Sequence, residues 1–484
     1  MNHHGMDKPG AVAGAHASRV VPLVVAAALL MENLDSTVLT TAIPTIAVDL
    51  TTDPVHLKLA LTSYLMSLAV FVPASGWMAD RFAPRRVFMA AIIVFTCASI
   101  LCAMSQTLGQ LVAARVLQGM GGAMMSPVGR LLVVRSTAKH DLVSALAWVT
   151  IPALIGPILG PPVGGLIVSY MNWRWIFLIN VPIGFLGVFL AWRLLPDIAL
   201  PAPRAFDLKG FLLSGCGLSL LVASAAFLGV GRGDALLAIV SALLGALLLW
   251  IYARHAASMD RPLLDLSLLR IPTVRASLLG GSTFRIGVGA SPFLLPLLLQ
   301  VGFGFDPLSS GLITFAGGAG ALLMKFSAKP ILSFFGFRNT LMWNGLIASI
   351  LLMAPALFSR ESPAAVMIAV LFCSGFLRSL QFTAVNALAF ADVPEERMSA
   401  ATTMSAVAQQ VAASLGVSVG AIVVQLSRGA HGRTELEAVD FMTAFMVVSA
   451  IACLSVISFY RMRPDAAHQL IARAPGRRAG GDPE

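Results

Sequence analysis

Apolar runs of roughly 20 residues recur along almost the whole chain, separated by short polar stretches. A helix rising ~1.5 Å per residue needs about that length to cross ~30 Å of hydrocarbon, where every backbone amide must be bonded within the protein. The runs are continuously apolar and lack the short alternation of membrane strands, so an all-α polytopic membrane protein is expected. We read about fourteen spans: 20–44, 58–78, 87–105, 108–130, 143–168, 174–195, 208–229, 235–254, 276–300, 308–327, 338–358, 363–390, 401–426 and 439–461. Composition agrees, since 57% of the 484 residues are hydrophobic and only 12% charged, a balance foreign to soluble domains.

A net charge of +10 could suggest a nucleic-acid partner, but the basic residues cluster in alternate loops, the positive-inside pattern of membrane topology. Arg81, Arg85 and Arg86 follow span 2; Arg130, Arg135 and Lys139 follow span 4; Arg254, Arg261, Arg270 and Arg275 follow span 8. Those loops are expected to face the cytoplasm, and no nucleic-acid partner is expected. The opposite loops are poor in basic residues, although the 428–437 loop, with Arg428 and Arg433 beside Glu435 and Glu437, fits least well. An even number of crossings puts both termini in the cytoplasm, in keeping with Lys8 and Arg19 at one end and Arg461, Arg463, Arg473, Arg477 and Arg478 at the other. Residues 1–19 and 463–484 read as polar tails, and the first span reads as its own insertion signal into a bacterial inner membrane.

Enzyme chemistry finds no footing. The eight histidines read as tail or loop residues, the five cysteines as free packing residues, and no metal-ligand cluster, nucleophile motif or phosphate loop occurs. No cofactor or metal is expected, and uphill transport would draw on an ion gradient. A sensor or receptor is a further class, but no sizeable soluble domain is available to carry a signal.

"GWMADRFAPRRVF" after span 2 is echoed by "KFSAKPILSFFGFRNTL" after span 10. If the echo marks a repeat, the chain divides into six spans (20–200), two linking spans (201–258) and six more (259–462), with both halves in one orientation.

The first of these stretches resembles the major facilitator signature G-x-L-A-D-R-x-G-R-R/K, matched at Gly76, Asp80, Arg81, Arg85 and Arg86, with Ala83 and then Pro84 where the second glycine would begin the turn. Gly76 would permit close helix approach, and Asp80 would pair with arginines or cap the next helix. The resemblance implies a loop that latches the cytoplasmic ends of two bundles. "RVLQGMGGAMMSPVGR" resembles the family's span-4 motif through Arg115, Gln118, Gly119, Gly121 and Gly122. "LDSTVLTTAIP" resembles the first-span motif of fourteen-span drug:proton antiporters, and G-x-x-x-G-P-x-x-G-G at Gly156, Gly160, Pro161, Gly164 and Gly165 resembles their antiporter signature. "WRWIFLINVPIG" and "QQVAASLGVSVG" are similar to stretches of MdtD-like multidrug transporters, so the resemblance extends over nearly the whole chain.

Depth arithmetic puts Asp35 ~22 Å above the cytoplasmic face and Arg115 ~20 Å above it, so the two could meet. Desolvation and a neighbouring guanidinium act in opposite directions on a carboxyl group, so movement of Arg115 would load or release a proton on Asp35; a static ion pair is the other reading. Glu32, three residues earlier on nearly the same face, is a second proton site, an anchor for a cationic substrate or a snorkelling side chain. Arg285, Arg378, Gln381, Asn386, Gln409 and Gln410, together with Gln118, either line a polar central cavity or fix helix packing. The resemblance implies a major facilitator fold of two six-helix bundles plus two linking helices, exporting amphipathic small molecules against protons across the lipid bilayer by alternating access. A proton-coupled transporter of one metabolite or organic acid, by export or by uptake, is the alternative, and a periplasmic adaptor is left open.

Overall fold

The continuous apolar runs become helix throughout the computed structural model, which describes residues 11–137, 141–197, 205–227, 234–260 and 262–463. Most of the expected tails, with Lys8, Arg473, Arg477 and Arg478, lie outside the described residues, as do Lys139 and Arg261. The first group of helices is α1 (Ala11–Asp49), α2 (Lys58–Phe82), α3 (Pro84–Met104), α4 (Leu108–Ser136), α5 (Leu142–Tyr170) and α6 (Trp175–Leu194). A pair follows, α7 (Leu208–Phe227) and α8 (Asp234–Ala257). The last group is α9 (Pro272–Gly302), α10 (Pro307–Phe335), α11 (Phe337–Leu357), α12 (Ala364–Leu388), α13 (Met398–Ala430) and α14 (Ala438–Tyr460).

Among the described residues, twelve of these are long and apolar enough to cross a membrane. The other two, α4 and α5, are 29 residues each. Arg115, Gln118 and several glycines dilute the hydropathy of α4, whereas the first half of α5 lies partly outside the residues whose side chains the structure describes, which leaves Ile155–Tyr170 as its described apolar length. The expectation that histidines keep to tails and loops is corrected at His16, which lies within α1, and in α8, whose last turn holds His255, its Nε2 2.8 Å from Asp207 Oδ1.

Short connections are held by caps. Thr107 accepts from the Gln110 amide to start α4, Asp306 accepts from the Ser309 amide to start α10, and Glu437 and Asp440 form a reciprocal box at the start of α14. The echo seen in the sequence reappears as backbone. Gly336, between α10 and α11, has φ 75°, and Ala83, between α2 and α3, has φ 73°. A glycine adopts that conformation freely, whereas a β-carbon there is strained.

The first six helices pack chiefly on one another, α1 most extensively on α5, and α9–α14 form a second bundle. The bundles touch along α5 against α10 and α2 against α13, while α7 pairs with α8 and leans on both α2 and α13.

Candidate functional site

Asp35 sits on the inner face of the first bundle with 1% of its surface exposed. Its Oδ2 accepts from Arg115 Nη1 of α4 at 2.5 Å, and its Oδ1 from Gln118 Nε2 at 2.8 Å and Asn180 Nδ2 at 2.7 Å. Ser99 Oγ of α3 accepts from both amides, at 2.8 Å and 3.3 Å. Arg115 also donates to Gln118 Oε1 at 2.7 Å and to the Ala60 carbonyl at 3.3 Å. Its Nη2 has no hydrogen bond, but the guanidinium lies 4.2 Å over the Tyr64 ring, which compensates part of that charge electrostatically. Four helices therefore converge on one carboxylate, each bond to it being charge-assisted. The arrangement can hold a negative charge in a dry interior, and neutralising that charge would free Arg115.

The meeting of Asp35 with Arg115 follows the depth arithmetic, but Gln118 is fully buried in this network and does not line a cavity. Asn180 and Ser99 escaped the sequence reading. Asn180 stands at a break between two short helical pieces of α6, where an asparagine passes for a turn residue. Glu32 lies one turn from Asp35, half-buried against Gly122 of α4, and its Oε2 is buried without a hydrogen-bond partner.

The loop after α2 pairs inside its own bundle. Asp80 accepts from Arg135 of α4 at 3.1 Å, and Arg85 bonds Asp197 at 3.0 Å and the Trp192 carbonyl, while Arg81 and Arg86 are exposed. The expected close approach at Gly76 is not found: a β-carbon there would have open space around it. The span-4 glycines do serve packing, with Gly119 against Tyr64 and Ser67 and Gly121 against the backbone of Phe95.

The glycine run of α5 faces two partners. A β-carbon at Gly160 would stand 2.0 Å from Thr37 Oγ1, and one at Gly164 would stand 2.4 Å from the Val38 carbonyl oxygen, both on α1. At Gly165 it would meet the Pro307 carbonyl oxygen of α10 at 2.4 Å. Pro161 takes part from the other side, its carbonyl oxygen 2.3 Å from a β-carbon placed on Gly311 of α10.

In the second bundle, Arg285 of α9 is 9% exposed, donates to Asn386 Oδ1 at 2.6 Å and lies 5.3 Å over the Phe382 ring. Arg378 is one turn from Phe382 on α12, half-buried, and Lys325 of α10 donates to Thr383 Oγ1 at 2.9 Å. No Asp or Glu occurs in α9, α10, α11 or α12 to balance these cations. Gln381 is fully buried, accepting from Asn344 and donating to the Leu341 carbonyl, so it ties α12 to α11 instead of lining a cavity. Gln409 and Gln410 are half-buried on α13, and Asn386 is exposed.

The bundles are bonded at the end away from the basic loops. There Arg428 of α13 donates to Asp53 at 2.6 Å and Gln300 of α9 to the Thr41 carbonyl at 2.9 Å, and midway along α13 Ser414 donates to the Thr62 carbonyl at 3.4 Å. Arg428 and Asp53 formed no part of the sequence-based site.

Against this geometry, the sequence profile of the Major Facilitator Superfamily matches residues 25–417, with a second match over 277–480. The chain is 36% identical over 455 residues to "Putative multidrug resistance protein MdtD" of Escherichia coli O6:H1, covering 93% of this chain and 95% of that protein. It is likewise 36% identical over 454 residues to the protein of the same name from Salmonella heidelberg, covering 93% and 96%. Among solved structures it resembles a D-xylose–proton symporter, with a TM-score of 0.67 at 15% identity, covering 92% of this chain and 98% of that one. It also resembles the inward open xylose transporter XylE from E. coli, with a TM-score of 0.61 at 13% identity, covering 93% and 98%.

Proposed function

The chain belongs to the major facilitator superfamily, and from that premise we propose that it is a proton-coupled antiporter exporting amphipathic small molecules across a bacterial inner membrane. The family makes it a multi-pass membrane transporter and not an enzyme. On our reading all fourteen helices cross the bilayer, both termini are cytoplasmic, and residues 20–200 and 259–462 are the two rocking bodies joined by 201–258. The name carried by the MdtD relatives supports drugs as cargo.

The observation that carries this reading is the Asp35 carboxylate held by Arg115, Gln118 and Asn180 among four helices. A charge so placed is stable while Arg115 faces it, and a proton arriving on Asp35 releases Arg115 and changes which packing of the helices is favoured. On this reading the pairing of Asp35 with Arg115 and the bonds at the far end belong to an inward-facing transporter whose proton has left and whose cavity receives substrate from the cytoplasm or inner leaflet. One proton crossing a 100 mV potential supplies about 2.3 kcal/mol, roughly a fiftyfold gradient of a neutral substrate. The test is transport in proteoliposomes. Asp35→Asn is expected to bind substrate yet lose transport driven by a pH gradient; full pH-driven efflux by that variant would defeat the assignment. Inverted vesicles should accumulate substrate when given a pH gradient.

A second reading is favoured by Arg285, Arg378 and Lys325, cations gathered around Phe382 without an acidic partner on their own or neighbouring helices α9–α12. They suit an organic acid or other anionic metabolite. Competition of labelled substrate by simple aromatic carboxylates, and not by lipophilic cations, would select this reading.

A further inference from the structure

The paired helices α7 and α8 have no role in the site just described, yet they form one side of a hollow. Between them and the second bundle lies a cavity of about 340 Å³, walled by Leu218 of α7, Leu249 of α8, Leu264 and Leu266 of the connecting segment, Ile286 of α9 and Val411 of α13. The polar side chains facing it are few. The Tyr252 hydroxyl is already engaged, donating to the Leu264 carbonyl at 2.9 Å and accepting from the Leu264 amide at 2.6 Å. Ser282 is the other polar group in the wall. A space so lined offers water few partners, and left empty it forfeits dispersion contacts along its apolar walls.

Its position in the fold limits what can fill it. Tyr252 lies five residues from the end of α8, and Leu264 and Leu266 belong to the basic connection between α8 and α9, so the cavity occupies the half of the helices nearest the basic loops. Arg275 lies seven residues before Ser282, two turns towards those loops on the same face of α9, and it is exposed, as is Arg270 at the end of the connection. Trp250 of α8 is exposed with Arg254 5.0 Å over its ring, the pairing of aromatic and cation that marks the level of lipid headgroups.

The connecting segment is pinned over the cavity. Asp265 accepts from Arg397 at the start of α13 at 2.5 Å, and Arg397 also bonds Ser267. Burial alone would raise the Asp265 carboxyl, but the bonds from Ser267 and Arg397 outweigh it and hold it below the usual carboxylate range, so the clamp is charged at neutral pH.

We propose that this cavity holds one acyl chain of an anionic phospholipid from the leaflet that meets the basic loops, with the lipid phosphate at Arg275. The chain supplies the missing apolar contacts, and the arginine selects the headgroup by charge. The lipid would also touch the joint between bundles, because Val407 and Val411 of α13 pack with Met66 and Ala69 of α2 in the same apolar cluster.

The test uses the full-length protein, purified and exchanged into mixed micelles containing phosphatidylglycerol or phosphatidylcholine, with retained lipid counted by native mass spectrometry. Wild type is expected to retain one phosphatidylglycerol about fivefold more readily than phosphatidylcholine. Arg275→Gln should reduce that preference to near unity while one lipid is still retained. Ala408→Phe, which fills the cavity from α13, should abolish retention of either lipid; Leu249→Phe fills it from α8 and serves if the first variant misfolds. Equal retention of both lipids by wild type, or undiminished retention by a folded cavity-filled variant, would overturn the proposal. So would displacement of the lipid by an equimolar lipophilic cation such as tetraphenylphosphonium, which would make the cavity a site for amphipathic ligands in general. None of these readouts depends on transport, so they stand apart from the test of antiport.

Discussion

Asp35 and Arg115 are both withdrawn from solvent, and their attraction must offset the desolvation of two charges before it stabilises anything. The net value of the pair is therefore small, but removing one member is not. Asp35→Asn is expected to destabilise the protein by about 3 kcal/mol because Arg115 is left buried and uncompensated, and Asp35→Asn combined with Arg115→Gln should recover at least half of that. Thermal unfolding of the four proteins in one detergent checks it; a double variant no better than the single would remove the pair's coupling. At Ala83, φ 73° is strained for a residue with a β-carbon, and Gly336 shows what the repeated turn prefers. Ala83→Gly should raise stability by about 1 kcal/mol, read from the same melting experiment. The departure from the family glycine at this position was legible in the sequence, and its strain was not. Asp35 and Arg115 could be brought together by counting residues along two helices. Asn180 could not, since nothing local separates an asparagine that closes a buried network from one that merely opens a helix.

Helix α5 shows where periodicity stops being informative. Glycines spaced by four residues announce a close contact but do not name the neighbour, and this helix uses Gly156, Gly160 and Gly164 against α1 and Gly165 against α10. Lipid and protein interior are equally apolar, so the contrast that reveals the inner face of a soluble helix is missing here. That is why the sequence places Gly76 at a contact it does not make, and why it leaves Gln118 and Gln381 open between lining a cavity and fixing helix packing, the second of which their burial inside the bundles bears out. Gly160→Val should cost about 1–3 kcal/mol by driving a side chain into Thr37, whereas Gly76→Ala, with free space around it, should leave the melting temperature unchanged or slightly higher. A Gly160→Val protein as stable as wild type would deny α5 its tight contact with α1.

Across the whole molecule, the basic loop that fitted the topology least is explained by its partners. Arg428 is matched by Asp53, 375 residues away in sequence, and Arg433 by Glu437 and Asp440. No reading of the loop alone could have found Asp53. Because Arg428 and Asp53 come from different bundles, Arg428→Gln should favour opening at that end by about fivefold, the equivalent of ~1 kcal/mol for a partly exposed pair. Spin labels at Val48 and Leu426, both exposed near that end, would report it as growth of a longer-distance population; an unchanged distribution would deny the pair a gating role. The close glycine contacts of α10 with α5 run from Pro307 at Gly165 to Gly318 at Ile158, about 16 Å of helix, and about 25 Å of α10 follows Gly318. A door swings least at its hinge and most at its free edge: a tilt of about ten degrees about an axis crossing α10 at Gly318 carries its tip, at Phe334 and Phe335, some 4 Å.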